Sequence, residues 1–205
     1  MANVTTLIGT LKKVFSDVKE IRWSDDDIST ASLATHKWEK QLPVLTDGLD
    51  FNMEDPTTNQ VKVFGLKRAW ASATEDGDCT MTLQIPTIAD GVLGWLWDKT
   101  ADSVATASEE INGETGTFSG AGYTLTTKKL SGTIMIISGD GKYALIVRHL
   151  EAVTSFAFSD PKSSPFAVTL TATLSGDVET ENATNDFDIA FLEWKKDTTE
   201  PPTNP

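Results

Sequence analysis

A chain of 205 residues has room for one large all-β domain, or for one domain with an extended arm. Its hydrophobic fraction of 39%, with six Trp and nine Phe, provides for a substantial core and argues against global disorder. A net charge of −13 excludes nucleic-acid binding as the main task and an anionic membrane surface as a partner, because both require clustered Lys and Arg.

Residues 1–41 form the first element. Val14, Val18 and Ile21 could line a short helix, interrupted by Asp25-Asp26-Asp27. Three consecutive aspartates project in different directions and lack the glycine-containing spacing of a calcium loop, so a solvated turn or helix cap is expected in preference to a cation site. The opening MANVTTLIGTLKKVF lacks a basic start followed by a long apolar run, and no stretch reaches the ~20 apolar residues that span a bilayer. Neither secretion nor membrane insertion is expected.

Strands dominate from Leu42. Residues 43–53 read as a strand broken at Asp47-Gly48, and Asp55-Pro56 starts a turn. Cys79, Met81, Leu83 and Ile85 alternate with Thr80, Thr82 and Gln84, which marks a strand with one buried face. The acidic turn Glu75-Asp76-Gly77-Asp78 is expected to join it to a preceding strand. Pro86 ends it, and Ile88, Val92, Trp95 and Leu96 then share one face of a helix over about 87–98, with Thr87 and Asp90 as a capping pair. Cys79 is the only cysteine, so no intrachain disulfide forms, and it reads as a small apolar residue on a strand face.

Residues 98–122 are polar and rich in Ser, Thr, Gly and acid, which predicts a long loop. A hairpin follows, with 133–137 and 143–147 flanking Gly139-Asp140-Gly141. Both strands are apolar on both faces, so the hairpin is either sandwiched within the domain or covered by another subunit. Further strands are expected over 152–158, 166–174 and 187–194. In the second of these, Phe166, Val168, Leu170, Ala172 and Leu174 face inward. The tail 195–205 holds three prolines and no apolar residue, so it reads as disordered or extended. Trp70 and Trp194 are placed at core positions, and Trp23 and Trp38 are left free on the arm.

Catalytic chemistry is sparse. His36 and His149 are the only histidines, and no HExxH, CxxC or GxSxG pattern is present. Ser119-Gly120-Ala121-Gly122 precedes a strand, whereas a phosphate cradle needs a following helix. No catalytic, cofactor-binding or metal-ligating residue is assigned, and enzyme activity is not expected.

Three segments carry a resemblance. The unit 61–100, with TMTLQIPTIADGVLGWLW at its centre, the closing run FAVTLTATLSGDVETENATNDFDIAFLEW and the opening MANVTTLIGTLKKVFSDV together resemble the tail tube proteins of long-tailed bacteriophages, and by extension the type VI secretion tube protein. They cover about two-thirds of the chain, and 98–122 has no counterpart. The chain reads as an extended arm (1–41), a body over 42–194 and a tail at 195–205, and the resemblance implies a mainly β fold, a sandwich or barrel with one flanking helix. It implies hexameric rings of identical subunits stacked into a hollow tube in the virion tail. Partners would be the chain itself and the terminator, tape-measure and baseplate proteins, with DNA passing unbound along an acid-lined lumen. Glu75, Asp76, Asp78, Glu109, Glu110, Met135, Ile137 and Asp140 are then candidate subunit or lumen contacts. The competing reading is a monomeric β-sandwich that binds a ligand or carbohydrate.

Overall fold

A computed structural model describes residues 13–61, 64, 67, 71–75, 77–157, 165–175 and 187–195. In chain order these residues form β1 (Val18–Ser24), α1 (Thr30–Leu33), β2 (Lys40–Leu42), β3 (Leu49–Met53), β4 (Thr57–Val61), β5 (Ala71–Glu75), β6 (Cys79–Ile85) and α2 (Asp90–Leu96). They continue with β7 (Asp98–Ala105), β8 (Glu109–Ile111), β9 (Glu114–Gly116), β10 (Ser119–Thr124), β11 (Lys129–Ser138), β12 (Tyr143–Ala157), β13 (Ala167–Leu174) and β14 (Ile189–Glu193). The fold is mainly β, built from antiparallel sheets with one flanking helix, as the sequence predicts. Two compact units divide it: Met1–Leu42, Gly132–Arg148 and Thr180–Pro205 make the first, and Pro43–Ser131 with His149–Glu179 the second.

In the first unit β1 lies between β2 and β11, and β14 pairs with Tyr143–Val147 of β12. The helix considered over Val14, Val18 and Ile21 is not formed. Alternation of Ile21 and Trp23 with Glu20 and Arg22 instead gives a strand, in which Ile21 sits opposite Ile136 and Trp23 opposite Ile134, all four buried. Trp23 is therefore not free: it is 0% exposed, and its indole N–H donates to Asp25 at 2.9 Å.

The three aspartates are exposed where the chain bends after β1, and side-chain donors of the unit reach the carboxylates of Asp25 and Asp27. Asp25 also pairs with Lys40, and Asp27 lies 3.3 Å from the buried Arg148 guanidinium. Arg148 further donates to the Phe187 carbonyl at 3.1 Å and stacks over the Phe187 ring at 5.1 Å. Thr133 ties the turn to β11, donating to the Asp26 carbonyl at 3.0 Å and accepting from the Ile28 N–H at 3.1 Å.

The second unit orders β3–β6–β13 and then the later part of β12. Met81, Leu83 and Ile85 of β6 sit opposite Ala172, Leu170 and Val168 of β13, so the inward faces read from both strands meet in one buried layer. Cys79 is buried on the same face of β6 and forms no disulfide. The strands expected separately at 143–147 and 152–158 are one strand, β12, because no turn residue separates them. His149 carries the interruption with a left-handed φ of 51°, and its carbonyl accepts from the Ser175 N–H at 2.7 Å.

Three further expectations are corrected. The helix begins at Asp90, because the Thr87 hydroxyl accepts from the Ala89 N–H at 3.0 Å and so closes its own turn; Ile88 is left exposed. β5 does not pair with β6: it pairs with β4, and β6 lies between β3 and β13. Residues 98–122 are not a loop. They fold as two antiparallel pairs, β7 with β10 and β8 with β9.

Of the tryptophans, Trp194 is exposed rather than in the core, and Trp70 lies outside the described residues. Trp97 directly follows α2, is buried, and meets Phe156 edge-on at 5.7 Å. The tail beyond residue 195 also lies outside the described residues.

Candidate assembly surfaces

Two ribbons of the second unit are short of packing partners. Among the described residues β4 and β5 pair only with each other, in the register Thr57 opposite Glu75 through Val61 opposite Ala71, and every residue of β4 is exposed. β7 and β10 likewise form a two-stranded sheet, extended by β8 and β9 around Asn112-Gly113. Both turn residues have positive φ, 54° and 82°, which is the geometry of a tight hairpin whose twist matches its strands. Val104, Ile111 and Phe118 are exposed on this ribbon, Phe118 to 60%. A two-stranded ribbon is at best marginally stable alone in water, so such ribbons are suited to gaining a third partner.

The base of the second ribbon is clamped to α2. The Tyr123 hydroxyl donates to the Asp90 carboxylate, and the Lys99 ammonium reaches the same carboxylate at 3.0 Å and Asp102 at 3.4 Å. The Tyr123 hydroxyl and then Lys99 hold Asp90 below the usual carboxylate range. The hydrogen bond to Asp90 raises the pKa of Lys99 and also that of Tyr123.

The depressed carboxylate contributes above its unfolded-state pKa, and that contribution is lost as pH falls through the folded value. The two raised groups contribute below their unfolded-state values and lose that contribution as pH rises through the folded ones. The clamp is therefore complete between about pH 4 and about pH 10. Amide protection around Tyr123, measured by NMR as exchange relative to the intrinsic rate at each pH, is expected to stay high across that window and to fall on both sides. Tyr123→Phe should remove protection there while leaving the global unfolding midpoint nearly unchanged, because the groups are solvent-exposed.

The first unit carries a groove of about 720 Å³ whose floor includes Met135 and Ile137 of β11, Tyr143 and Ala144 of β12 and Leu192 of β14. Trp194 and charged side chains from β1 and the hairpin turn border it. A bulge between Val18 and Glu20 offsets Lys19, and Glu20 and Arg22 then pair at 2.5 Å. Asp140 at the rim serves the turn. It accepts from the Lys142 N–H at 3.0 Å and the Ser138 hydroxyl at 2.7 Å, and these bonds, the first above all, hold its pKa low. Gly139 is required at this turn because a Cβ there would lie 2.8 Å from Asp17 Cβ.

The candidate contacts therefore fall in separate places. Met135, Ile137 and Asp140 share the groove of the first unit. In the second unit Glu75 ends β5 and Asp78 follows it, both exposed, and Glu109 and Glu110 are exposed on β8. Asp76 lies outside the described residues. Gly77 must be small here, since a Cβ would come within 2.0 Å of the Glu54 carbonyl oxygen, beside the bond from the Glu54 N–H to the Asp78 carbonyl at 2.9 Å.

Sequence reasoning missed the ribbon over 98–124, although Asn112-Gly113 is a strong hairpin signal. It also missed the exposure of Phe191 on β14 and of Trp194 just after it, whose apolar character reads as core. Among the described residues, no group of three or more His, Cys, Asp or Glu is placed to hold a metal ion. No protein-family model matches the chain, and no curated protein matches it.

Proposed function

We propose that this chain is a structural subunit that assembles with copies of itself into stacked rings, forming the tail tube of a bacteriophage through which DNA passes. The carrying observation is the pair of two-stranded ribbons, β4 with β5 and β7 with β10, whose described residues are mostly exposed and which are suited to gaining packing against another chain. Exposed Phe191 and Trp194 on and beside β14, at 73% and 67%, add apolar surface that assembly would cover. In β14 the strand edge away from β12 pairs with no other described strand, which leaves backbone donors and acceptors for a neighbouring subunit.

The acids Glu75, Asp78, Glu109, Glu110 and Glu114 project into solvent from the ribbons and their ends. On this reading, those that line the lumen repel DNA phosphates within a screening length of about 8 Å. Terminator, tape-measure and baseplate proteins would meet the ends and interior of the tube. Specificity lies in self-recognition, and no catalytic role is assigned.

Sedimentation velocity over a concentration series tests the proposal. The full chain is expected to populate large discrete species as concentration rises. A variant with residues 107–117 replaced by a two-residue Asn-Gly turn should keep the wild-type near-UV circular dichroism and lose those species. A full chain that stays monomeric throughout, or a shortened variant that assembles equally well, would overturn it.

A further inference from the structure

We infer that the groove of the first unit receives the β8–β9 end of the ribbon of a second copy of this chain. The inference rests on the self-assembly reading above and says which two surfaces meet. Three observations point to this occupant.

The first is a sheet face left open. Ile134 and Ile136 of β11 are buried, whereas Met135 and Ile137 alternate to the opposite face and are only half-buried in the groove. Leu192 of β14 and Trp194 beside it line the same groove and are 41% and 67% exposed. Apolar surface gathered in this way and rimmed by charge marks a contact site.

The second is charge. Lys19, Arg22 and Lys142 border the groove against Glu20 and Asp140. Glu20 is already paired with Arg22, and Asp140 lies 3.5 Å from Lys142. Three bases against two acids leave the border positive, although the whole chain carries −13. The ribbon has the opposite balance. Residues 100–127 hold Asp102, Glu109, Glu110 and Glu114 and no Lys or Arg, and every residue from Asp102 to Gly120 is exposed. Complementary charge of this kind selects a partner and fixes its register.

The third is shape. Glu109 and Ile111 of β8 share one face, with Gly116 opposite the first and Glu114 opposite the second. With Phe118 they line a hollow of about 340 Å³, apolar at Ile111 and Phe118 and acidic at Glu109 and Glu114. An exposed Trp is the kind of anchor that such a hollow takes. The Trp194 N–H donates to the Lys142 carbonyl at 2.8 Å, which fixes that residue beside one of the bases. In the docked pair Trp194 of one copy enters between Ile111 and Phe118 of the next, and Lys19 and Lys142 meet Glu109 and Glu114. The two surfaces differ, so each copy offers one of each. A contact of this type closes into a ring when its rotation allows.

Charge exchange tests the inference, read by sedimentation velocity, with near-UV circular dichroism to verify folding. Lys19→Glu with Lys142→Glu in one chain, and Glu109→Lys with Glu114→Lys in another, should each raise the concentration needed for large species by about tenfold or more, because like charges then face each other. Mixing the two variants should restore assembly, since each reversed surface finds a reversed partner and each native surface a native one. Disulfide trapping gives a second reading in Cys79→Ala chains. Phe118→Cys mixed with Leu192→Cys is expected to link the two variants to each other in excess over links of either with itself. A wild type that assembles while both reversed variants assemble equally well, a mixture no better than its components, or no excess of the mixed link would overturn this docking and leave self-assembly standing. A wild type that stays monomeric at every concentration would overturn the self-assembly reading, and the docking with it.

Discussion

Replacing Trp23 with alanine is expected to lower the free energy of unfolding by about 3–5 kcal/mol, the ordinary cost of deleting a large buried aromatic. Trp23 is 0% exposed, sits opposite Ile134 on β11, and lies between the β11 and β2 neighbours of its own strand. Removal leaves a cavity that the surrounding structure fills only in part. Trp23→Phe separates packing from polarity. It keeps most of the ring volume and loses the indole donation to Asp25. Asp25 is exposed, so its oxygen returns to water at little cost, and the expected loss is about 1–2 kcal/mol. Urea midpoints with an unchanged slope would measure both values. A loss for Trp23→Ala below that for Trp23→Phe would contradict the placement of this residue in the first unit's core.

Gly132→Ala is expected to cost about 2–4 kcal/mol for a different reason, overpacking against backbone. A Cβ at residue 132 would stand 2.0 Å from the Ser24 carbonyl oxygen, 3.0 Å from its carbon and 3.2 Å from Asp25 Cα. No side chain is available to rotate away, so β1 and β11 must separate where Ser24 meets Thr133. That movement also loosens the Thr133 bonds to Asp26 and Ile28, which hold the aspartate turn. Ser131→Ala, one residue away and exposed, is the control and should change stability by less than about 0.5 kcal/mol. Thermal unfolding of the two variants beside wild type reads the difference directly. Equal midpoints for the two alanine variants would show that β1 and β11 do not approach at Gly132.

What the amino-acid order made legible follows from which surfaces are buried on one side only. Alternation in 79–85 and 166–174 gave both strands and their inward faces, because core and solvent impose opposite chemistry on successive residues. Gly139-Asp140-Gly141 marked its hairpin through turn geometry alone. The ribbon over 98–124 escaped because largely exposed strands have no alternation, so Asp98–Ala105 reads as loop composition. β1 escaped because its apolar pattern is short and runs straight into three aspartates, and only pairing with β11 turns it into a strand. Continuity through Arg148-His149 escaped because a buried arginine paired with Asp27 and the Phe187 carbonyl resembles a surface residue in sequence.

Candidate contacts were legible in part. Met135, Ile137 and Asp140 do gather in one groove, since the hairpin was read in register. Glu109 and Glu110 are carried on a ribbon whose existence had no periodic signal, and Glu75 ends a strand that was expected but pairs with β4.

The most direct test of the central claim is negative-stain electron microscopy of the purified full chain across a concentration series, alone and with its neighbouring gene products. The proposal predicts rings, or tubes of one uniform diameter, built from stacked rings with a central channel. Single compact particles at every concentration and in every mixture would contradict self-assembly. That outcome would return the chain to the reading of a monomeric binding module.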